Sequence, residues 1–430
     1  MIPRWSKYNF LFRKEGHCFL YSSLSNSFAL LDDETYDLLC GVRDGNQSEI
    51  TDNDLVQTLS HMQAINVDED LVINLIRFIS QKRKFDQESL YLTINPTLSC
   101  NFRCPYCFET EHHDRFMSDE TEDAIISYVK KKGSLKHLNV MWFGGEPLLG
   151  FKRIKSLTNR LSGIVENYSA AMISNGYLLT PEVVASLEDL QIRMIQITLD
   201  GLATSHDKKR CLKSGAPTFD RIIDNITHCL KNAPSVRIVI RVNINNDNPD
   251  DYLQVYDYFA SNGISGVEVV PGFIVDREND IPTCAFNHKQ IVNFACKTFR
   301  DHKIKSISFF PSIMRNSCSA RNINSLVIGP DGELYKCWEE VGRNECIVGN
   351  IKESTYNRGL MLRYTAGIDQ LDDSQCIECR LLPICDGGCP RVRLLNKYEG
   401  RHLETCHLLK DGMEDLLYCH YLSKRQKTTE

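Results

Sequence analysis

The chain has 430 residues, 42% of them hydrophobic and 25% charged, with a formal net charge of −6. That length exceeds what one hydrophobic core serves, so two or three domains are expected, and the charge leaves no basic stripe for nucleic acid. No apolar run approaches a membrane span and the start, Met1-Ile-Pro-Arg-Trp5, lacks the apolar stretch of a signal peptide, so a cytosolic protein with no membrane partner is expected.

The first residues read as strands at 10–12, 18–22 and 28–31, then helices at 34–40, 55–62 and 71–79, with Thr51-Asp-Asn-Asp54 as an acidic capping box before the middle helix. Three strands with three helices predict a small winged-helix-like unit over residues 1–88. Such units often bind DNA, but nine Lys and Arg stand here against fourteen Asp and Glu, the wrong sign for phosphate contacts.

From residue 90 to about 300 strand and helix alternate: runs at 90–94, 138–143, 170–174, 194–199, 236–244 and 266–270 read as strands, each followed by a helical segment. Ser118 caps one helix and Thr180-Pro181 opens another. Repeated units of this kind imply a parallel sheet with right-handed crossovers, whose active site lies at the C-terminal strand ends. The unusual residues fall at those ends. Cys100, Cys104 and Cys107 follow the first strand, Gly144-Gly145-Glu146-Pro147 the second, Ser174-Asn175 the third and Asp200 the fourth, while Asn243 lies near the end of the fifth.

Eighteen cysteines in a chain with no export signal point to metal or cluster ligation instead of disulfides. Ten stand in ligand spacings; the others, including Cys18, Cys40, Cys211 and Cys229, read as buried small hydrophobes. The spacing Cys100-x3-Cys104-x2-Cys107 gathers three thiolates and leaves a fourth position open, whereas a cubane normally takes four cysteines. A zinc site completed by His112 or His113 is the alternative from this spacing alone.

With the Gly144–Pro147 segment added, the chain resembles the radical S-adenosylmethionine enzymes. The resemblance implies a partial (β/α)6 TIM-like barrel, an α/β fold, over residues 89–305. It implies a [4Fe–4S] cluster held by Cys100, Cys104 and Cys107, whose open iron binds the methionine moiety of the cofactor. Reductive cleavage there gives a 5′-deoxyadenosyl radical. Tyr106, Gly144, Gly145, Glu146, Pro147, Ser174, Asn175, Asp200 and Asn243 are the implied cofactor contacts. The run His206-Asp207-Lys-Lys-Arg210 is similar to one in the peptide-modifying branch; a solvated charged loop is its plain alternative.

After residue 310 the alternation stops. Cys318, then Pro330-Asp331-Gly332 as a hairpin turn and Cys337, then Cys376-x2-Cys379-x5-Cys385-x3-Cys389 and finally Cys406 match the SPASM pattern of that family over residues 306–430, with a zinc ribbon as the alternative. The resemblance implies two auxiliary [4Fe–4S] clusters, three clusters in all. Cys376, Cys379, Cys385 and Cys406 would hold the outer one, and Cys318, Cys337 and Cys389 the inner one. No cysteine lies among residues 312–317 to complete the inner cluster; Cys346, Cys284 or Cys296 are substitutes, but an open or substrate-ligated iron is favoured.

Residues 1–88 resemble the peptide-recognition element of peptide maturases, which holds a leader by adding it as an edge strand. The expected activity is therefore hydrogen abstraction from a ribosomally made precursor peptide to install a crosslink, with a thioether preferred, and with a flavodoxin- or ferredoxin-type electron donor as second partner. An anaerobic sulfatase maturase making formylglycine is the near alternative. In that family an Asp follows the second SPASM cysteine as base, whereas this chain has Trp338, then Glu339 and Glu340. An iron–sulfur sensor without turnover is the alternative from another class, opposed by the Gly144–Pro147 segment.

Overall fold

The computed structural model describes residues 3–46, 49–107, 114–275, 284–314 and 318–426. Strands β1 (Asn9–Lys14), β2 (His17–Ser22) and β3 (Ser27–Leu31) form an antiparallel sheet in that order, followed by α1 (Asp33–Arg43), α2 (Asn53–His61) and α3 (Glu69–Lys84). The cap of α2 is Asp52, not Thr51: its carboxylate accepts from the N–H groups of Asp54 at 2.8 Å and Leu55 at 3.2 Å. A carboxylate serves two first-turn donors and also favours the positive helix end, which a threonine hydroxyl does less well.

Then come β4 (Ser89–Ile94), α4 (Asp119–Lys130), β5 (His137–Trp142), α5 (Phe151–Leu161), β6 (Asn167–Ser174), α6 (Pro181–Ser186), β7 (Ile192–Thr198), α7 (Ala203–Lys209), α8 (Phe219–Asn232), β8 (Arg237–Ile244), α9 (Asp251–Ser261), β9 (Val267–Phe273) and α10 (His288–His302). The last part holds β10 (Ser325–Ile328), β11 (Glu333–Tyr335), β12 (Gly349–Asn350), β13 (Thr355–Tyr356), α11 (Arg358–Thr365), α12 (Ser374–Ile377), α13 (Pro390–Glu399) and α14 (Leu409–Gln426). The chain packs into two compact units, one of Phe85–Phe286 with Ser319–Ala366, the other of Met1–Lys84, Asn287–Cys318 and Gly367–Glu430.

The first unit is built on one sheet of order β13-β12-β11-β10-β4-β5-β6-β7-β8-β9, with β4 to β9 all parallel. All six strands read from the sequence are present, and β8 in the middle of the run from β7 to β9 is the most deeply covered. Ile238, Ile240, Val242 and Ile244 of β8 are fully buried and Val239 on the opposite face nearly so, as expected of strands covered on both sides. The sheet continues past the alternating region. Strand β10 pairs parallel with β4, and Pro330-Asp331-Gly332 turns it into antiparallel β11, with Gly332 at φ +88°.

In the second unit both faces of the N-terminal sheet are covered. Leu20, with α1, α2 and the loop that follows, makes a core from Leu39, Val42, Leu59, Met62 and Ile65. Phe10, Phe12, Phe19 and Tyr21 pack on α10 and α14 through Val292, Phe299, Met413, Leu416 and Leu417. Strand β3 ends the sheet, with Leu30 54% exposed.

Candidate functional sites

In the first unit the loop of Cys100, Cys104 and Cys107 leaves the end of β4 and is held on two sides. Gly144 and Gly145 lie directly under it: a Cβ would meet the Thr97 carbonyl oxygen at 2.3 Å at the first and the Ser99 carbonyl oxygen at 2.4 Å at the second, and Gly144 has φ +108°. A Cβ at either position would run into residues 97–99, so the side-chain-free backbone of the two glycines seats the cysteine loop. Backbone bonds fix the contact, Gly145 N–H to Thr97 O at 3.3 Å and Glu146 N–H to Ser99 O at 2.9 Å.

Glu146 is fully buried, and its carboxylate accepts from Ser174 Oγ at 2.8 Å, Asn175 N–H at 2.7 Å and Leu148 N–H at 3.1 Å. Burial raises its pKa, opposed by those donors. The carboxylate thus clamps the end of β6 to the loop after β5, with Pro147 opening the short turn that follows. Asn175 then reaches Asn101 Oδ1 at 2.8 Å, so Glu146, Ser174, Asn175 and the Cys100 loop form one connected network.

On the other side, Tyr106 donates a hydrogen bond to Asp200 and accepts one from Arg210 Nη1 at 3.0 Å; Arg210 also lies over the Phe102 ring at 5.7 Å. Asp200 is buried with a raised pKa, caused first by desolvation and opposed by Arg210, Lys209 and Asn243. Asn243 acts on it through backbone and side-chain hydrogen bonds, while Asn101 Nδ2 and Arg210 Nε are buried with no hydrogen-bond partner among the described residues.

The charged run 206–210 is not a solvated loop. His206 is fully buried, accepting from Asp200 N–H at 3.2 Å and bonded to Thr218 Oγ1 at 3.1 Å, and burial lowers its pKa to about 3. Asp207 accepts from the N–H groups of Thr218 and Phe219 at 2.8 and 3.0 Å at the start of α8. Arg210, read from the sequence only as part of the run His206 to Arg210, is set by the turn after α7 against Tyr106 and Phe102 of the cysteine loop. Cys211 is likewise not an isolated core thiol. Its carbonyl accepts from Arg103 N–H at 3.3 Å, Lys213 N–H bonds Asn101 O at 2.9 Å, and its thiol is among the groups that raise the pKa of Cys104. Asn243 accepts from Arg241 Nε at 3.0 Å.

Do the thiols suit a cluster? Burial, with Glu146, Cys104 and Cys107 adding repulsion, pushes the Cys100 thiol up to about 12, so a strongly cationic centre is needed to make it a thiolate. Its sulfur already accepts Phe102 N–H at 3.4 Å. The same arrangement, an N–H two residues on aimed at sulfur, recurs at Cys379 from Leu381 at 3.5 Å and at Cys385 from Gly387 at 3.3 Å. These are sulfurs prepared to carry negative charge, as cluster ligands do. Among the described residues no three His, Cys, Asp or Glu side chains are gathered as a single metal ion requires. His112 and His113, the zinc alternatives, lie outside the described residues.

In the second unit Cys376, Cys379, Cys385 and Cys406 rim one cavity of about 70 Å³, joined by Arg393, His407 and Lys410. Gly388, at φ +75°, lets the Thr405 carbonyl oxygen approach where a Cβ would sit at 1.6 Å, which brings Cys406 beside the other three. Four sulfurs around a space, not around a point, fit a multi-iron cluster better than a zinc ribbon.

Cys318 and Cys389 belong to this unit and Cys337 to the first. Of the substitutes for the missing inner ligand, Cys296 is spent in the core, where its thiol is hydrogen-bonded to Cys419 between α10 and α14. Cys284 is engaged through its backbone, with its carbonyl on Asn246 N–H at 2.8 Å. Cys346 and Cys337 both act on the Tyr364 phenol, whose hydrogen bond goes to the buried Glu340. Trp338 stacks on Phe143 at 5.6 Å.

Residues 94–273 match the model of the Radical SAM superfamily. The GTP 3′,8-cyclase of Clostridium perfringens is 32% identical over 275 residues, covering 60% of this chain and 82% of that protein. The serine-type anaerobic sulfatase-maturating enzyme of Bacteroides thetaiotaomicron is 24% identical over 368 residues, covering 72% and 85%. Among solved structures, Streptococcus suis SuiB bound to its precursor peptide SuiA superposes with a TM-score of 0.54 at 15% identity, over 95% of this chain and 99% of that one.

Proposed function

We propose that this chain, which belongs to the radical SAM superfamily, matures a ribosomally made precursor peptide by abstracting hydrogen from it and closing a thioether crosslink. Residues 1–88 would hold the leader, 89–305 the cofactor and 306–430 the auxiliary clusters. A [4Fe–4S] cluster with S-adenosylmethionine, bound at Cys100, Cys104 and Cys107, supplies the one-electron chemistry. Glu146, Ser174 and Asn175 keep the loops around it in register, and the Tyr106–Asp200–Arg210 bonds fix the other flank. Tyr106, Gly144, Gly145, Pro147 and Asn243 complete the proposed cofactor contacts.

The observation that carries the reading is the second cysteine cavity, formed by Cys376, Cys379, Cys385 and Cys406. Closing a thioether removes two hydrogens from the peptide, one by abstraction and one as a proton with an electron left over, and a further cluster gives that electron a destination. The peptide part is supported by the open edge of β3 and by the likeness to a fold solved with a precursor peptide bound. A leader added at that edge would raise the local concentration of the attached core toward the millimolar range of short tethers. Cys318, Cys337 and Cys389 are proposed for the inner cluster, with its remaining iron position for a peptide thiolate, and a flavodoxin- or ferredoxin-type protein as electron donor.

Formylglycine formation is the second reading, favoured by the extent of the match to the sulfatase-maturating enzymes. Against it, Trp338 stands where that family has its base, and Glu340 is turned inward onto Tyr364. Reconstituted protein given S-adenosylmethionine, dithionite and a cysteine-containing precursor peptide found among the short reading frames beside its coding region should form 5′-deoxyadenosine and a peptide lighter by two hydrogens. Leu30→Glu on the β3 edge should cut modification about tenfold or more while cofactor cleavage continues. An aldehyde product on a sulfatase peptide, with the encoded peptide untouched, would replace the thioether reading.

A further inference from the structure

Each of the four thiols that rim the cavity in the second unit accepts a donor at sulfur, and the donors are of two kinds. Cys379 and Cys385 take neutral backbone N–H groups, whereas Cys376 takes Arg393 Nη2 at 2.7 Å and Cys406 takes Lys410 Nζ at 3.4 Å. Arg393 is built in: its side chain is 11% exposed, Nη1 is held by Asp373 Oδ2 at 3.1 Å, and Nε donates to the Gly387 carbonyl. Each cation has a carboxylate beside it: the Cys376 thiol donates to Asp373 Oδ2 at 3.6 Å, and Glu404 accepts Cys406 N–H at 2.7 Å and raises the Cys406 pKa against Lys410. Both cations therefore aim N–H groups at sulfur from opposite ends of the ligand set, one from α13 and one from the first turns of α14.

Resting on the reading that Cys376, Cys379, Cys385 and Cys406 hold a cluster, we propose that Arg393 and Lys410 set its reduction potential, holding it above that of the cluster at Cys100 and making it the electron-accepting member of the set. Reduction adds negative charge that spreads onto the sulfurs, so a charge-assisted N–H bond to sulfur strengthens when the electron arrives and the reduced state is favoured. Neither residue is a ligand; both act through the sulfurs.

The test is a redox titration of the reconstituted full-length protein, followed by electron paramagnetic resonance, for wild type, Lys410→Met, Arg393→Gln and Arg393→Lys. Lys410 is solvent-exposed, so its removal leaves the packing alone. With iron content retained, Lys410→Met and Arg393→Gln should each lower one cluster's reduction equilibrium constant about tenfold, about 59 mV for one electron, and leave the others in place. Arg393→Lys should recover part of the shift. Unchanged potentials in both variants with full iron would overturn the proposal, and so would Lys410→Met losing the cluster outright, since that makes Lys410 a structural support. Wild-type protein with no auxiliary cluster at all would instead overturn the reading on which the proposal rests.

Discussion

The two cysteine sites differ less in their thiols than in the charges set around them. At Cys100 a carboxylate and two further thiols work against the Phe102 N–H, and at Cys104 Asp200 and Cys211 work against Arg210. In the cavity of the second unit, burial likewise raises Cys376, to about 11, and raises Cys406, with Asp373 and Glu404 adding to it, but there Arg393 and Lys410 oppose both through direct bonds to sulfur. Buried negative surroundings resist an added electron, and cationic donors welcome it. A site meant to deliver electrons at the low end of the cluster range needs the first environment, and one meant to receive them the second.

The largest way to break this contrast is to remove the support of the second site. Truncation of residues 1–88 takes Phe10, Phe12, Phe19 and Tyr21 off α10 and α14. At about 2 kcal/mol for each buried aromatic, the loss is on the order of a whole domain's stability. The truncated protein is expected to aggregate or to reconstitute without its auxiliary iron, measured by iron analysis; a soluble product with full iron would show that the N-terminal sheet is an independent module. A sharper test touches only the first site. Glu146→Ala leaves the Ser174 hydroxyl and two N–H groups without their acceptor, at a cost of about 3 kcal/mol. Cofactor cleavage should fall at least about tenfold while auxiliary iron stays, and equal cleavage would remove the clamp from the scheme.

The smallest expected effect is on pH dependence. His206 is held neutral in the folded state, with its pKa lowered to about 3, so below pH 6.5 the unfolded chain binds a proton that the folded chain refuses. Stability should therefore fall as pH drops from about 6.5 toward 3, by on the order of 1 kcal/mol between pH 6.5 and 5.5. Chemical denaturation at pH 6.5 and 5.5 checks it, and His206→Gln should flatten that part of the profile.

Much of this was legible in the residue pattern because it is local. Strand runs, the cap at Ser118, the Pro-Asp-Gly turn and the ends of β4 to β7 each follow from a few consecutive residues, and the cysteine spacings are short. What escaped was decided by partners far along the chain. Nothing near Ser325–Ile328 says that β10 will pair with β4, more than two hundred residues earlier. Arg210 and Cys211 look like a charged run and a stray thiol until they are set beside residues 101–106. That Gly144 and Gly145 also seat residues 97–99 is not legible, because those residues lie far earlier in the chain. The cap falls at Asp52, one residue from the Thr51 of the expected capping box, since Thr51, Asp52, Asn53 and Asp54 all suit that position.

The most direct measurement compares wild-type protein with a Cys100→Ala, Cys104→Ala, Cys107→Ala variant, both reconstituted without oxygen, for iron content and for 5′-deoxyadenosine formed from S-adenosylmethionine with dithionite. The expected result is that wild type carries three cubanes and cleaves the cofactor, while the variant keeps the iron of the auxiliary clusters and forms no 5′-deoxyadenosine. Cleavage that persists in the variant would contradict the assignment of the radical site to the loop after β4.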